Sequence, residues 1–156
     1  MVLQLLEEIE KMALKAKNYV RVSRIEKYDV LDINQEKYSE VIVISVDYKD
    51  YEIDLSKHKD NIHEILDKVN DIESLMYSRV CEKVHARFMK LFNRHKSEII
   101  SRWNPTFDSI IFFDEITNKR YTVCPIYITK IQYNGEIYES TYFNLEINQE
   151  DFKPLD

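Results

Sequence analysis

Apolar residues recur every three or four positions in two parts of the chain, and this spacing predicts two helical regions. In residues 3–18 the apolar side chains share one helix face, with acids in the first half and lysines in the last turn, as the helix macrodipole favours. Residues 59–103 continue the same spacing, and such a helix would span roughly 60 Å. We therefore expect a break at residues 70–73, whose Asn-Asp-Ile-Glu sequence suits a capping box, and an end before Pro105.

The remaining segments alternate apolar and polar positions or are rich in β-branched residues, which predicts strands. One antiparallel meander is expected between the helical regions and a second after Pro105; the segments are 19–25, 28–33, 41–46 and 51–55, then 109–114, 121–132 and 136–147. Asn134-Gly135 predicts the hairpin turn between the last two. The order helix, strands, helices, strands predicts an α+β fold, and we expect one domain over residues 1–156.

Composition restricts the class of protein. The 156 residues, 44% hydrophobic and 32% charged, suit one soluble domain that buries its own core. A single glycine excludes glycine-rich phosphate loops and dinucleotide-binding fingerprints, and with them P-loop enzymes and Rossmann dehydrogenases. The first residues have acids where a signal peptide would have basic residues, so we expect a cytoplasmic protein with no membrane partner.

A row of cations contrasts with the net charge of −6. Residues 79–94 predict an amphipathic helix whose face opposite the apolar stripe carries Arg79, Lys83, Arg87, Lys90 and Arg94. Cations along an exposed helix face can follow a phosphate backbone, so we expect these five to contact double-stranded DNA. A solvated helix face without a partner is the alternative. The long apolar stripe also predicts a homodimer, in which it packs against a second copy.

Ala86 lies within this basic surface at a position where a charged side chain is expected. It follows Glu82 by one helical turn, precedes Lys90 by another, and adjoins His85. Alanine is the best helix former and is harmless on a surface. A carboxylate here, beside Glu82 and His85, could instead hold a divalent cation near a phosphodiester. Position 86 is therefore the first candidate for a reactive centre.

The length, the glycine-poor composition rich in Ile, Lys, Glu and Tyr, and the helix RVCEKVHARFMKLF resemble a known family. The family is that of the small nucleases encoded by filamentous viruses of acidophilic, hyperthermophilic archaea (the Acidianus filamentous virus type). The resemblance covers essentially the whole chain and implies cleavage of linear double-stranded DNA. It also implies a functional glutamate where this chain has Ala86, so the chain as it stands would be an inactivated variant. We expect Mg²⁺ or another divalent cation as cofactor.

A second set of acids predicts a different nuclease site. Many nucleases of the PD-(D/E)xK superfamily have a helix with a Glu, an Asp opening a later strand, and an apolar strand that ends in acid-x-Lys. Here acids of the first helix, then Asp29 or Asp32, and then Asp47 with Lys49 follow in that order. Two carboxylates would bind Mg²⁺ while the lysine steadies the attacking water. No Pro precedes the Asp and Asp47 replaces the commoner Glu, so ordinary hairpin-end charges are the alternative.

Two other classes of function stay open. The basic row suits a non-catalytic DNA-binding or genome-packaging protein, which would bind DNA without cutting it. The net negative charge suits an acidic protein that blocks a host factor through its surface. Asp50, Glu52 and Asp54 share one strand face and could bind a cation or a basic partner, or form the solvated side of an edge strand. Tyrosines of the last meander could stack on bases or form cross-strand pairs.

Overall fold

The computed structural model describes residues 1–27, 38–104, 108–133 and 136–155, and the predicted α+β class is confirmed. The elements in chain order are α1 (Val2–Lys15), β1 (Tyr19–Lys27), β2 (Tyr38–Val46), β3 (Lys49–Asp54), α2 (Ile62–Leu91), β4 (Ile99–Asn104), β5 (Ser109–Asp114), β6 (Lys119–Val123), β7 (Ile126–Tyr133), β8 (Glu136–Asn144) and β9 (Lys153–Pro154). Among the described residues, no helix combines the length and apolar character that a membrane crossing requires.

The described strands form two antiparallel sheets, of order β3-β2-β1-β8-β7 and β4-β5-β6-β9. Strand β1 pairs with β8, so the larger sheet joins strands from both predicted meanders. Val20 lies between Val46 and Phe143 in this sheet, and all three side chains are buried. Since side chains alternate across a strand, this buried row marks the sheet face that the helices cover. Buried residues from both helices and both sheets form one hydrophobic cluster.

Helix α2 is continuous for 30 residues, or about 45 Å. The predicted break at residues 70–73 is wrong, because Ile72 lies in the middle of a buried stripe that packing holds helical. The two side chains of the supposed capping box have a tertiary partner instead: Asn70 Oδ1 accepts a hydrogen bond from Arg24 at 3.0 Å, and Glu73 forms an ion pair with the same guanidinium. Burial raises the pKa of Glu73, an effect that Arg24 opposes.

The apolar stripe of α2 packs against other elements of the same chain. Its buried residues are Ile65, Val69, Ile72, Met76, Val80, Val84 and Phe88. The helix contacts α1, and the ring of Phe88 stacks on that of Phe112 in β5 with centroids 4.3 Å apart. Because these side chains are buried inside one copy, the expectation that the stripe packs against a second copy is wrong.

Two further boundaries differ from the predictions. Helix α2 ends at Leu91 rather than near Pro105, since Asn93 has a left-handed φ of 52° and the N–H of Arg94 donates to the carbonyl of Met89 at 2.8 Å, as in a helix-terminating motif. The predicted strand 121–132 is divided at Pro125, which lacks an N–H; β6 and β7 then enter different sheets. The predicted strand 28–33 and the 134–135 turn lie outside the described residues.

Candidate functional site

A cavity of about 410 Å³ lies between helix α2 and the first residues of the smaller sheet. Successive turns of α2 form one wall of the cavity. Strand β4 and the segment before it form the other wall. The lining residues are Cys81, Glu82, His85, Ala86, Met89, Lys96, Ile99 and Ser101. The structure therefore brings together Ala86, Glu82 and His85, the three residues that the helix pattern assigned to a reactive centre.

The ring of His85 is held in this cavity by two contacts. The Ser101 hydroxyl lies 2.9 Å from Nε2 and 3.3 Å from Nδ1, and the edge of the ring meets Phe112 with centroids 5.3 Å apart. Burial lowers the pKa of His85, and the positive charge of Lys96 lowers it further. The imidazole is therefore neutral at pH 7, where it can accept a proton or a hydrogen bond.

The acidic content of the cavity is small. Ala86 and Glu82 are both exposed, one helical turn apart, and Glu82 supplies the only carboxylate among the lining residues described. In the described part of the chain, no group of three or more His, Cys, Asp or Glu side chains could hold a metal ion. The residues present thus do not fit Mg²⁺, which prefers several oxygen ligands. A carboxylate at position 86 would add a second donor beside Glu82.

Arg79, the first cation of the basic row, caps helix α1. Its guanidinium donates hydrogen bonds to the carbonyl oxygens of Ala13 and Ala16 at the C-terminal end of the helix, where the Ala13 carbonyl also accepts from the N–H of Ala16 at 3.2 Å. Arg87 is also engaged within the chain, since its Nε donates to the carbonyl of Ile147 at 2.9 Å. Both guanidinium groups therefore fix chain segments in addition to contributing positive charge.

The other three cations differ from one another. The inclusion of Arg94 in the helical row is wrong, because α2 ends before it; its Nε donates to Asp114 at 2.8 Å. Lys83 is half-buried, and burial, together with the charges of Arg79 and Arg87, lowers its pKa. Lys90 is exposed. A DNA contact by these residues stays a prediction, with Lys90 the best placed side chain.

Asp47 has a structural role at the turn between β2 and β3. Its backbone has a left-handed φ of 46°, a conformation that Asp tolerates better than most residues. Its carboxylate accepts hydrogen bonds from the N–H groups of Lys17 at 2.8 Å, Asn18 at 2.7 Å and Tyr19 at 3.1 Å. Burial raises the pKa of Asp47, but these three hydrogen bonds and the positive charge of Arg79 together outweigh it, so the pKa lies below its ordinary value. The carboxylate therefore joins this turn to the α1–β1 connection.

The rest of the acid-x-Lys arrangement is not assembled in the described residues. Lys49 begins β3 with its ammonium group over the ring of Tyr51, 5.4 Å from the centroid. Asp29 and Asp32 lie outside the described residues. Since Asp47 already accepts three backbone hydrogen bonds, the ordinary hairpin-end interpretation explains this residue without a metal.

Sequence reasoning missed Lys96 and Ser101 as cavity residues because it placed residues 92–103 in a helix. The left-handed Asn93 could have indicated the helix end, since Asn is a common C-terminal cap. Comparison with protein-family models, with curated proteins and with solved structures finds no match to this chain.

Proposed function

We propose that this fold serves a nuclease for linear double-stranded DNA, with its reactive centre in the cavity at position 86. The observation that supports the proposal is the meeting of exposed Ala86, the Glu82 carboxylate and neutral His85 in one cavity beside Lys96. The first three lie within one turn of α2, and the fold adds the facing wall with Lys96 and Ser101. We propose that cleavage needs Mg²⁺ or another divalent cation, and only in a chain that has a carboxylate at position 86.

Phosphodiester hydrolysis needs a proton acceptor for the attacking water and positive charge near the phosphate oxygens. His85 suits the first task, since its lowered pKa keeps the imidazole unprotonated at neutral pH and Ser101 fixes its ring. Lys96 lines the same cavity and suits the second. Lys90, exposed one turn beyond Ala86, would extend the phosphate contact along α2. A glutamate at position 86 would complete a pair of carboxylates one turn apart.

The chain as it stands has a methyl group at position 86 and is expected to bind DNA without cutting it. This expectation coincides with the second candidate function, a non-catalytic DNA-binding or genome-packaging protein. The observation that favours the second candidate is the single carboxylate among the described lining residues. The two candidates differ in what happens when a carboxylate is introduced.

The test of the nuclease proposal is the variant Ala86→Glu. Purified variant and unchanged chain are incubated with linear and with circular duplex DNA, each with and without Mg²⁺, and the products are separated on gels. We expect cutting of linear DNA by Ala86→Glu alone and only with a divalent cation. The control is Ala86→Gln, which introduces a side chain of nearly the same size as glutamate but without the charge. This variant is expected to stay inactive. A folded Ala86→Glu variant that is inert over a range of metals and temperatures would contradict the proposal.

DNA binding is tested separately at several salt concentrations. Lys90→Ala should weaken binding and reduce the slope of log affinity against log salt by about 1, as expected for the loss of one phosphate contact. Lys119→Ala removes another exposed lysine, on β6 and not among the residues that line the cavity, and should leave the slope unchanged. Salt-sensitive binding without cutting by Ala86→Glu would select the packaging function. Absence of DNA binding would instead favour the acidic protein that blocks a host factor.

A further inference from the structure

The two edges of the five-stranded sheet differ in charge. Strand β3, with the sequence KDYEID, has four charged residues among six. Charged side chains on an edge strand discourage pairing with another chain. Among the described strands, β7 forms the opposite edge, and in its sequence IYITKIQY only Lys130 is charged. The β7 edge therefore lacks the protection that β3 has.

Strand β7 also exposes apolar side chains on both faces of the sheet. Tyr127, Ile128 and Ile131 are 52%, 50% and 55% exposed, and Tyr138 on the neighbouring strand is 44% exposed. Alternation along the strand puts Tyr127 and Ile131 on the face without helices, and Ile128 on the other. A long apolar edge of this kind is the template to which a further strand adds.

The backbone of β7 fixes how such a strand would pair. The N–H of Asn144 donates to the carbonyl of Pro125 at 2.8 Å, which begins the β7–β8 ladder. Hydrogen-bonded pairs alternate along antiparallel strands, so the odd-numbered residues of β7 direct their backbone groups toward β8. Ile128 and Lys130 direct theirs to the open edge. A new antiparallel neighbour must therefore form its hydrogen bonds with these even-numbered residues.

We propose that β7 pairs antiparallel with β7 of a second copy of this chain, about a two-fold axis at Thr129. Such pairing satisfies the hydrogen-bond pattern, because Ile128 of each copy lies opposite Lys130 of the other. It also places Tyr127 of each copy opposite Ile131 of the other, an aromatic and β-branched pair that stabilises sheets. The two five-stranded sheets become one.

The neighbouring registers are less favourable. An axis at Lys130 would place the two lysines directly opposite each other, which destabilises a sheet. An axis at Ile128 would leave one end of β7 without a partner strand. Thr129 is therefore the position at which overlap is nearly complete and like charges are separated.

Nucleic acid fits this part of the sheet less well than a second copy does. Arg21, stacked over Tyr142 at 5.1 Å, contributes positive charge to the face without helices. The register of β1, β2 and β3 puts Asp50, Glu52 and Asp54 on that same face. These acids would repel phosphates but do not oppose pairing at the distant β7 edge.

Cross-linking tests the register. Residues at the two-fold axis on the non-hydrogen-bonded position have Cα atoms about 4.5 Å apart, within the range that a disulfide spans. Thr129→Cys, made in a Cys124→Ser chain to remove the exposed native thiol, should form a covalent dimer on mild oxidation. Ile128→Cys in the same background is the matched control and should not, because the two copies of residue 128 lie two positions apart along the paired strands, beyond the reach of a disulfide. Cross-linking of Ile128→Cys, or of neither variant, would overturn the proposed register.

Sedimentation velocity of the unmodified chain tests the dimer itself. Pairing through one strand buries less area than a standard interface, so we expect a dimer that dissociates on dilution, in the range of about 1–100 µM. Ile131→Lys should raise the dissociation constant at least tenfold. Ile116→Lys makes the same change at a residue 61% exposed, in the turn after β5, and should have no effect. A monomer throughout this range, or a dimer indifferent to Ile131→Lys, would overturn the proposal.

Discussion

The hydroxyl of Ser101 lies 2.9 Å from Nε2 of His85, so strand β4 fixes a side chain of helix α2 inside the cavity. This contact gives Ser101 the part of a positioning residue in the proposed nuclease. In a chain with Ala86→Glu, we predict that Ser101→Ala lowers kcat about tenfold, because the ring is no longer held in one orientation. KM should change little, since Ser101 is not expected to bind the DNA.

The measurement is steady-state cleavage of linear duplex DNA by the single and double variants. Ser97→Ala is the control, because Ser97 is exposed on the segment before β4 and does not line the cavity. Equal kcat for Ser101→Ala and Ser97→Ala would show that the orientation of His85 does not matter to the reaction. A parallel rise in KM would indicate a general loss of structure instead.

The carboxylate of Asp47 stabilises the fold, and its removal should be measurable without any activity. Asp47→Ala is predicted to lower the free energy of unfolding by about 2 kcal/mol, because three backbone N–H groups lose their acceptor. Lys49→Ala should change it by less than about 0.5 kcal/mol, as for most exposed side chains. Urea unfolding followed by circular dichroism compares the two.

The same variants decide between the two nuclease sites. If the acid-x-Lys arrangement carried the chemistry, Lys49→Ala would abolish cleavage by the Ala86→Glu chain while leaving stability intact. We predict undiminished cleavage by this double variant, because Lys49 packs over Tyr51 and Asp47 is engaged by the backbone. Loss of cleavage in a fully folded Lys49→Ala chain would restore the alternative site.

The strands could be predicted from the sequence because each buries one face. Val20 and Val22 alternate with the more exposed Arg21, and this period of two is a property of the strand itself. Pairing could not be predicted in the same way. The contact of β1 with β8 joins residues over a hundred positions apart, for example Ser23 and Ser140, whose hydroxyls lie 3.1 Å from each other.

The predicted helix boundaries are wrong where a local sequence signal competes with tertiary packing. Asn70 and Glu73 have the spacing of a cap, yet Ile72 between them is fully buried and Arg24 binds both polar side chains. A sequence does not show that a distant arginine will use these groups. At the other end, apolar residues near Ile99 fit a helical period but form a strand, and the cavity residues of β4 were missed as a result.

The continuity of α2 can be tested with proline at Asp71. If Asn70 were an N-cap, Asp71 would be the first helical residue, where proline is well tolerated. In the middle of a continuous helix, Asp71→Pro removes a hydrogen bond and clashes with the preceding turn, so we predict a loss of about 3 kcal/mol or more. Asp71→Ala, at the same exposed position, should be neutral or slightly stabilising. Equal stability of the two variants would indicate a break in the helix.

Asp114 should make the fold sensitive to acid. Burial raises the pKa of this carboxyl, but hydrogen bonds from Thr117, Arg94 and the N–H of Ile116 outweigh it, so the pKa lies below its ordinary value. A pKa that is lower in the folded than in the unfolded chain means that the stabilisation is complete above about pH 3.9 and is lost as the pH falls toward the folded pKa.

The variant Asp114→Asn cannot release this stabilisation, because it has no charge to lose. At pH 7 it should be less stable than the unchanged chain by about 2 kcal/mol, since the guanidinium of Arg94 loses its buried counter-charge. Below about pH 4 this difference in the free energy of unfolding, the stability gap, should narrow, because only the unchanged chain takes up a proton at position 114 there. Urea unfolding at pH 7, 5, 4 and 3 measures the gap, with exposed Asp71→Asn as the control. A gap that stays constant down to pH 3 would show that the charge of Asp114 does not stabilise the fold.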